Sequence, residues 1–366
     1  MLVVREMSDH EKLRYIHWRN LNDFAIAALV RVGVTPEDAV VVADTMIEAD
    51  LRGVDTHGIA NMLVPNVRMI CDGNMNPRPR LTIVKETPVT VLMDADDGIG
   101  NLVSVKAMEI AIDKARDSGV CLMGVRNSTH CGAMAYYPMM ALQHDMIGFM
   151  TVNSAPVVPA YGGVTRLLST NPYAAAVPAG EELPVVIDMA VTVSAQSKVL
   201  FKYRLGEKIP LGWGLNRFGE PTEDPADVLY RGGFLAWTGG PKGYALSVLA
   251  NILSGVLTGS PFGNEDFPPY TTAGHGSQKI TEGHFLAAFR IDYFMPVAEF
   301  KERMDAMIRE TKASEPARGF DRVYLPGEPE FIMKEKRLQT GIPISQPIWE
   351  RLVKMGEDLE LDFKLE

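Results

Sequence analysis

Residues 50–62 of the chain read DLRGVDTHGIANM and lie between two apolar segments. Gly53 and Gly58 enclose a short polar run that ends in His57, and Arg52 comes directly before it. An arginine guanidinium binds a carboxylate through two parallel hydrogen bonds, and an imidazole gives or takes a proton near neutral pH. These residue types together indicate a site that handles a small 2-hydroxy or 2-keto acid.

The structural alternative for this stretch is a bend between two helices. A threonine, a proline and two acids at 35–38 are typical of a helix start, and we predict a helix from there to about Leu51. In this interpretation Thr56 caps the next helix, and Asp55 satisfies His57.

Beyond residue 80 the hydrophobic pattern changes between strand and helix. The predicted strands are 81–84, 89–93, 120–125, 146–152, 173–179, 184–190 and 284–291, and the predicted helices are 100–119, 132–145, 242–259, 298–311, 328–339 and 346–355. We expect the helix over 242–259 to be largely buried and the Gly, Pro and Ser-rich residues 260–279 to form a long surface loop. The pattern predicts an α+β fold in three parts: an N-terminal helical unit (1–78), an α+β unit (79–296) and C-terminal helices (297–366) that pack back on the helical unit.

The composition excludes several classes of protein. A formal net charge of -10 argues against nucleic acid as a partner, because phosphate binding requires an electropositive face. Three unevenly spaced cysteines form neither a disulfide framework nor a zinc motif, and the histidines lack a metal-binding spacing. We see no signal peptide, and the apolar run 248–257 is too short to span a bilayer. We therefore expect a cytoplasmic protein that binds no metal and no membrane.

The usual glycine-rich nucleotide motifs are missing: the sequence has neither GxGxxG nor the P-loop pattern. The stretch TGGPKGYALSV at 238–248 is another candidate, since Gly239, Gly240 and Gly243 free the backbone at a predicted helix start. Amides at a helix start attract anions, and Lys242 adds a full charge. The stretch fits a pyrophosphate, and the structural alternative is a loop with a solvated lysine.

Three further polar residues, His130, Asp188 and Glu328, lie beside predicted strands or helices. His130 follows an apolar strand beside Gly132, where a ligand can approach closely, or it caps the next helix. Asp188 ends another strand, where it binds a ribose or caps a helix. Glu328 follows a Pro-Gly turn and either belongs to a site or only starts a helix. Cys131 beside the histidine invites a cysteine hydrolase, which we disfavour because adjacent residues rarely face each other.

Seven motifs occur along the chain in a characteristic order. They are ADLRGVDTHGIANM (49–62), NSTHCGAMAYY (127–137), STNPYAAAVP (169–178), VIDMAVTVSAQSKV (186–199), GWGLNRFGEPTEDP (212–225), GGPKGYALSVLANILSGVLTG (239–259) and VYLPGEPE (323–330) with GIPI (341–344). In this order they resemble the malate/L-lactate dehydrogenase family of the second, non-Rossmann type. Its members include ureidoglycolate dehydrogenase, diketogulonate reductase, sulfolactate dehydrogenase and cyclic imino-acid reductases.

The resemblance implies a helical unit from both chain ends and a mixed-sheet α+β unit that binds NAD or NADP without a Rossmann fold. It also implies a homodimer whose active site is completed by the partner chain, and a small-molecule carboxylate substrate. By motif match, His57 and His130 are candidate catalytic residues, and Arg52 and Thr56 are candidate substrate-binding residues. The matched cofactor-binding residues are Ser154, Asp188, Met189, Ala190, Lys242, Gly243, Pro326, Gly327 and Glu328.

Two positions depart from the family pattern. Thr56 replaces the more usual serine but keeps a hydroxyl, so we expect little change. Ser197 replaces a glycine and adds a side chain near the cofactor helix, which leaves the choice between NAD and NADP open.

The resulting hypothesis is an NAD(P)-dependent oxidoreductase that moves a hydride between nicotinamide and C2 of a small 2-hydroxy or 2-keto acid. One alternative is a cyclic 2-imino-acid reductase acting on piperideine or pyrroline 2-carboxylate. A non-redox hydrolase or lyase that uses the two histidines is another, and a binding module without turnover is the third.

Overall fold

The structure, a computed structural model, describes residues 13–263 and 280–362. Most of the loop predicted over 260–279 lies outside these residues. The helices are α1 (Trp18–Arg31), α2 (Pro36–Leu51), α3 (Ile59–Cys71), α4 (Gly100–Ser118), α5 (Tyr136–Met140), α6 (Gln196–Arg204), α7 (Pro225–Tyr230), α8 (Pro241–Asn251), α9 (Val297–Ala313), α10 (Glu328–Thr340) and α11 (Gln346–Asp358). The strands are β1 (Leu13–Ile16), β2 (Thr82–Glu86), β3 (Thr90–Gly98), β4 (Val120–Ser128), β5 (Met146–Asn153), β6 (Val158–Pro159), β7 (Arg166–Leu168), β8 (Tyr173–Val177), β9 (Val185–Met189), β10 (Gly214–Leu215), β11 (Pro221–Thr222), β12 (Phe234–Leu235), β13 (Glu282–Arg290) and β14 (Ile342–Ser345).

A seven-stranded sheet with the order β2-β3-β4-β13-β5-β8-β9 forms the centre of the α+β unit. Only β3 and β4 run parallel, connected by α4, and the other neighbouring pairs are antiparallel. A dinucleotide-binding Rossmann sheet is mostly parallel, with helices on both faces. The mixed directions confirm the predicted non-Rossmann α+β class.

The helical core combines both ends of the described chain. Buried side chains of α1, α2 and α3 form one cluster with Ile342 and Ile344 of β14 and with Leu352 and Met355 of α11. β1 pairs antiparallel with β14, which ties the first described residues to the C-terminal segment. The sequence pattern does not predict this pair, because two four-residue strands carry little periodic signal.

The last 70 residues do not all pack on that core. α9 lies against the turn after β8, where the Asp305 carboxylate accepts the backbone N–H groups of Gly180, Glu181 and Glu182. In these contacts α9 lies against the α+β unit, and the division into three units stays a prediction. α10 bridges the two regions, since Phe331 packs against the cluster that contains Val186 of β9 and Lys334 donates to Glu48 of α2.

A third apolar cluster lies beyond the main sheet. It includes Val191, Val199, Val228 and Trp237, whose indole Nε1 donates to the carbonyl of Pro159 at 3.0 Å. The short strands β6, β7, β10, β11 and β12 surround this cluster with α6 and α7. They were not predicted, because two-residue strands are decided by their neighbours rather than by a local pattern.

The helix α8 and the π-helical turn Ile252–Val256 that continues it differ from expectation. We predicted a largely buried helix, but one apolar side is exposed in the single chain. Its exposed side chains are Leu246, Leu249, Ile252, Val256 and Leu257. Across the described ranges, no helix has the length and apolar character to cross a bilayer.

Candidate active site

The His57 turn is shaped by Asp50, near the end of α2. The buried Asp50 carboxylate accepts the Ile59 N–H at 2.7 Å and so satisfies the first turn of α3 from a distance. A Cβ on Gly58 would lie 1.9 Å from Asp50 Oδ1, so only glycine fits after His57. Burial, with the nearby Asp55 charge, raises the pKa of Asp50 well above its usual value.

Asp55 does not serve His57 alone, unlike in the structural alternative. Its carboxylate forms a bidentate ion pair with the buried Arg337 of α10, which also donates to the Asp50 carbonyl. Thr56 does not cap α3 either, because its Oγ1 lies 2.7 Å from His57 Nδ1. The ion pair therefore holds the turn against α10, and the Thr56 hydroxyl orients the His57 imidazole.

His130 lies against His57. The two rings stack with centroids 5.5 Å apart and planes 16° from parallel. The Gly132 N–H donates to His130 Nδ1 at 3.2 Å, so the histidine bonds within its own loop and does not cap α5. Gly132 has φ +74°, and a Cβ there would lie 2.9 Å from Asn101 Nδ2, which makes glycine necessary at this bend.

Asp188 anchors the loop that carries His130. Its Oδ2 accepts the Ala135 N–H at 2.8 Å, and α6 begins eight residues later, so Asp188 caps no helix. The residue is exposed, yet protein atoms surround its carboxylate, and we call this region, which the His130 loop and the end of β9 border, the cleft. Desolvation raises the pKa of Asp188 to about 6, opposed by the N–H groups of Ala135 and Met134 and by the charge of Arg52.

Arg52 provides a buried positive charge at this cleft. It is 5% exposed, and its guanidinium lies 4.5 Å from the ring centre of Phe331. Among the described residues, its Nη1 atom has no hydrogen-bond partner. Burial lowers the pKa of Arg52, while Glu48, Glu330 and Asp188 favour the charged form. A buried guanidinium with an unsatisfied donor is suited to bind an anion from the cleft.

The start of α8 lies next to the end of β9. A Cβ on Gly243 would lie 2.5 Å from the Thr238 carbonyl oxygen and 2.8 Å from that of Val191, so this close approach requires glycine. Thr238 N–H donates to the Val191 carbonyl at 3.0 Å. Lys242 is exposed in the first turn of α8. The segment Asp188–Ala190 and the lysine therefore belong to neighbouring parts of one region.

Ser154 lies at the end of β5, and its hydroxyl is 2.5 Å from Oε1 of the buried Glu282. Burial raises the pKa of Glu282 to about 7, and the bond from Ser154 opposes this. We did not predict Glu282, because it borders the polar stretch 260–279 and no motif includes it. Only strand pairing brings it to the site.

The predicted Pro326–Glu328 turn packs on β9. Val186 N–H donates to the Pro326 carbonyl at 3.0 Å, and a Cβ on Gly327 would lie 2.8 Å from Val186. Glu328 starts α10, and its carboxylate accepts from Leu325 N–H and from an arginine, Arg322, as the structural alternative proposes. Its role toward a cofactor stays a prediction.

The remaining predicted site residues differ in their exposure. Met189 is 47% exposed at the end of β9, and Ala190 is half-buried. The Ser197 side chain lies outside the described part of the chain. Burial raises the pKa of the Cys131 thiol well above its usual value, which removes the thiolate that a cysteine hydrolase needs.

Segments far apart in sequence thus converge on one cleft. The turn after α2 contributes His57, the loop after β4 contributes His130, and β9 contributes Asp188, while the start of α8 adjoins β9. The two rings and the buried guanidinium offer proton exchange beside anion binding.

The family model for malate/L-lactate dehydrogenase matches residues 16–353. The chain belongs to the malate/L-lactate dehydrogenase family. It is therefore an enzyme, an oxidoreductase of the dehydrogenase type. The malate dehydrogenase of Pyrococcus abyssi is 40% identical to it over 338 residues, which cover 91% of both chains. The NAD(+) ureidoglycolate dehydrogenase of Escherichia coli K12 is 32% identical over 325 residues, covering 89% of this chain and 91% of that one.

Solved structures of the malate/L-lactate dehydrogenase family share the whole fold. The sulfolactate dehydrogenase from Methanocaldococcus jannaschii superposes with a TM-score of 0.87 at 36% identity, covering 95% of this chain and 98% of that one. The delta1-piperideine-2-carboxylate reductase from Pseudomonas syringae superposes with a TM-score of 0.82 at 27% identity, covering 93% and 99%. The fold of this family member is thus common to dehydrogenases and to an imino-acid reductase.

Proposed function

We propose that the protein is an NAD(P)-dependent dehydrogenase that transfers a hydride between nicotinamide and C2 of a small 2-hydroxy or 2-keto acid. The observation that carries the proposal is the stack of His57 on His130 in the cleft that also receives Asp188. The relatives named malate and ureidoglycolate dehydrogenase support a carboxylate substrate, and the second of these is named for NAD(+).

The residues around α8 suit a dinucleotide. Gly239 and Gly240 both have φ near +62°, which opens the backbone before the helix start, and Lys242 adds a positive charge there. We propose that this turn binds the phosphates, with Met189 and Ala190 alongside, and that Ser154 faces the nicotinamide end. The bound cofactor supplies the hydride-accepting ring, as NAD or as NADP.

In this proposal the Arg52 guanidinium, whose Nη1 has no hydrogen-bond partner among the described residues, binds the substrate carboxylate, and Thr56 orients His57. A backbone N–H only donates, so the bond from Gly132 requires His130 Nδ1 to accept, and the proton of the neutral ring resides on Nε2. His130 is thereby prepared to exchange a proton through Nε2. His57 and His130 remain alternative donors to the substrate oxygen.

A substrate panel tests this function. We expect oxidation of NADH or NADPH with at least one 2-keto acid among oxaloacetate, pyruvate, sulfopyruvate and oxalurate, measured by absorbance at several pH values. Failure of every 2-keto and cyclic imino acid with both nicotinamides would contradict the proposal and revive a non-redox reaction at the two histidines.

A cyclic 2-imino-acid reductase is the second candidate, favoured by the superposition on the piperideine-carboxylate reductase. The same carboxylate contact by Arg52 serves both substrates, and C2 receives the hydride in both. Higher kcat/KM for piperideine 2-carboxylate or pyrroline 2-carboxylate than for every 2-keto acid would select this candidate.

Lys242→Ala is expected to weaken cofactor binding more than it slows chemistry. Loss of one charged contact to a phosphate should raise the Kd for NADH or NADPH about tenfold. Fluorescence titration measures both constants, and Lys354→Ala, which removes an exposed lysine paired with Asp358, is the control. Unchanged affinity for both nucleotides would remove Lys242 from the site.

We also propose a homodimer in which the partner chain completes the active site. The exposed apolar side chains of α8 and of the turn that continues it support this dimer, because several of them recur every three or four residues along the helix whose first turn holds Lys242. Apolar area of this kind is normally covered by a partner.

Leu249→Asp is expected to shift the protein from dimer to monomer and to reduce activity, because a carboxylate would be buried in the interface. Light scattering after size exclusion measures the mass. Val40→Asp, at an equally exposed valine of α2, should leave the dimer intact. A wild-type monomer at micromolar concentration, or a dimeric Leu249→Asp variant, would contradict the proposed interface.

A further inference from the structure

Glu282 is a buried acid that the proposed mechanism does not use. It is 3% exposed at the first position of β13, where it pairs with Ser128 of β4, and the next residue, Gly283, pairs with Asn153 of β5. Because β13 runs antiparallel to both neighbours, its start lies where β4 and β5 end. The His130 loop follows β4, and Ser154 follows β5.

The contact between Glu282 and Ser154 has a defined direction. A carboxylate only accepts hydrogen bonds, so at 2.5 Å the Ser154 hydroxyl donates to Glu282. The oxygen of that hydroxyl then has lone pairs and no proton to offer another group. A serine held in this way accepts from a ligand N–H and does not donate to a ligand carbonyl.

We propose that Glu282 is a positioning residue that keeps the Ser154 hydroxyl as a hydrogen-bond acceptor toward an amide N–H of the nicotinamide carboxamide. This inference rests on the proposed function, because it assumes that Ser154 faces the cofactor. The inference adds that Glu282, without contacting the ligand itself, makes the Ser154 position favour a ligand group that donates a hydrogen bond.

The surroundings of Glu282 explain why the arrangement is sensitive to pH. Among the described residues, the titratable group that faces it is the buried Cys131 thiol of the His130 loop, whose pKa is also raised by the charge of Asp188 of β9. From β5 and from the turn after α8, the neutral side chains of Asn153 and Ser260 lie beside Gly283. Desolvation by this neutral surrounding raises the pKa of Glu282 to about 7. When Glu282 takes up a proton it can donate to Ser154, and the direction of the bond is lost.

Glu282→Gln removes the charge that holds the bond in one direction, with little change of shape, because the glutamine amide presents an NH₂ donor as well as a carbonyl acceptor to the serine hydroxyl. We expect the Kd for NADH and NADPH to rise about tenfold in this variant and to change less than twofold when the same substitution is made in Ser154→Ala. Fluorescence titration measures all four proteins. An equal change in both backgrounds, or no change in either, would overturn the proposal.

A dinucleotide analogue without the carboxamide N–H tests which ligand group binds Ser154. In 3-acetylpyridine adenine dinucleotide a methyl ketone replaces the carboxamide, so the N–H donor is missing. We expect its affinity to be the same, within twofold, for the wild type and Glu282→Gln. A tenfold loss with this analogue as well would show that Glu282 acts on the general shape of the site.

Two pH series keep the test decisive if the variant folds poorly. Wild-type affinity for the nucleotide should decrease as the pH falls from 8 to 6, and Ser154→Ala should lack this part of the dependence.

Without nucleotide, Glu282→Gln should raise the melting temperature at pH 8 more than at pH 5, because a raised carboxyl pKa costs stability as the pH rises. Asp305→Asn, at a buried acid of α9 that binds the N–H groups of residues 180–182, is the control.

The outcomes separate the two proposals. A wild-type protein that binds neither nucleotide contradicts the proposed function and this inference together. A wild-type protein that binds nucleotide and reduces a 2-keto acid, while Glu282 and Ser154 act independently, contradicts the inference alone.

Discussion

His57→Ala and His130→Ala are each expected to lower kcat by about 10²–10⁴ while the fold stays intact, since a positioned proton donor contributes this much. Neither ring belongs to an apolar cluster, and the rings stack on each other. Removing either ring also removes the surface that orients the other, so we expect both variants to be slow. Steady-state assays with the substrate found by the panel measure kcat, and melting temperature reports the fold.

The control for this prediction is His144→Ala. His144 accepts a hydrogen bond from Arg116 in an exposed position, so its loss should change kcat less than twofold. The variant that keeps more activity, and whose pH profile keeps its shape, identifies the ring that is not the proton donor. Near-full turnover in both His57→Ala and His130→Ala would contradict the assignment.

Arg52→Met is expected to lower kcat/KM by about 10²–10⁴, because two charged hydrogen bonds to a carboxylate are worth roughly 3–6 kcal/mol together. Methionine keeps an unbranched apolar chain against Phe331 but offers no donor. Arg52→Lys should recover part of the loss, since a lysine keeps the charge without the planar fork. Steady-state kinetics under limiting substrate measure the ratio.

Two comparisons separate carboxylate binding from a general disturbance of the site. Arg14→Met removes a guanidinium that lies 4.7 Å from the Trp349 ring centre in an exposed position, and it should leave kcat/KM within twofold. The primary amide of the same substrate should lose little between wild type and Arg52→Met. A kcat/KM within threefold of wild type for the acid would show that another group binds the carboxylate.

The helices show which structural features the local sequence pattern predicts and which it does not. The threonine and proline at 35–36 predict α2, and the structure places it at Pro36–Leu51, because capping and backbone preference act within one turn. The start of α3 was wrong, since Thr56 does not cap it. Asp50 does so from nine residues away, and no local signal distinguishes a distant carboxylate from the nearest hydroxyl.

The site residues also divide into those that the motifs predict and those that only the fold brings to the site. Motif resemblance indicated His57, His130, Asp188 and Lys242, and the structure brings these segments together. It did not indicate Glu282, Arg337 or Phe331, whose contacts join positions separated by 128, 282 and 279 residues. The partners of a functional side chain depend on which strands pair and which helices cross.

For this protein the sequence alone determined the family, the helices that carry strong caps and the residue types at the cleft, because these depend on local chemistry and on motif order. The tertiary structure alone decided that Asp55 binds Arg337 and that Arg52 is buried with an unsatisfied donor. It also decided that one side of α8 stays exposed. Burial and charge pairing are properties of surfaces that folding brings together, so no single segment of the sequence predicts them.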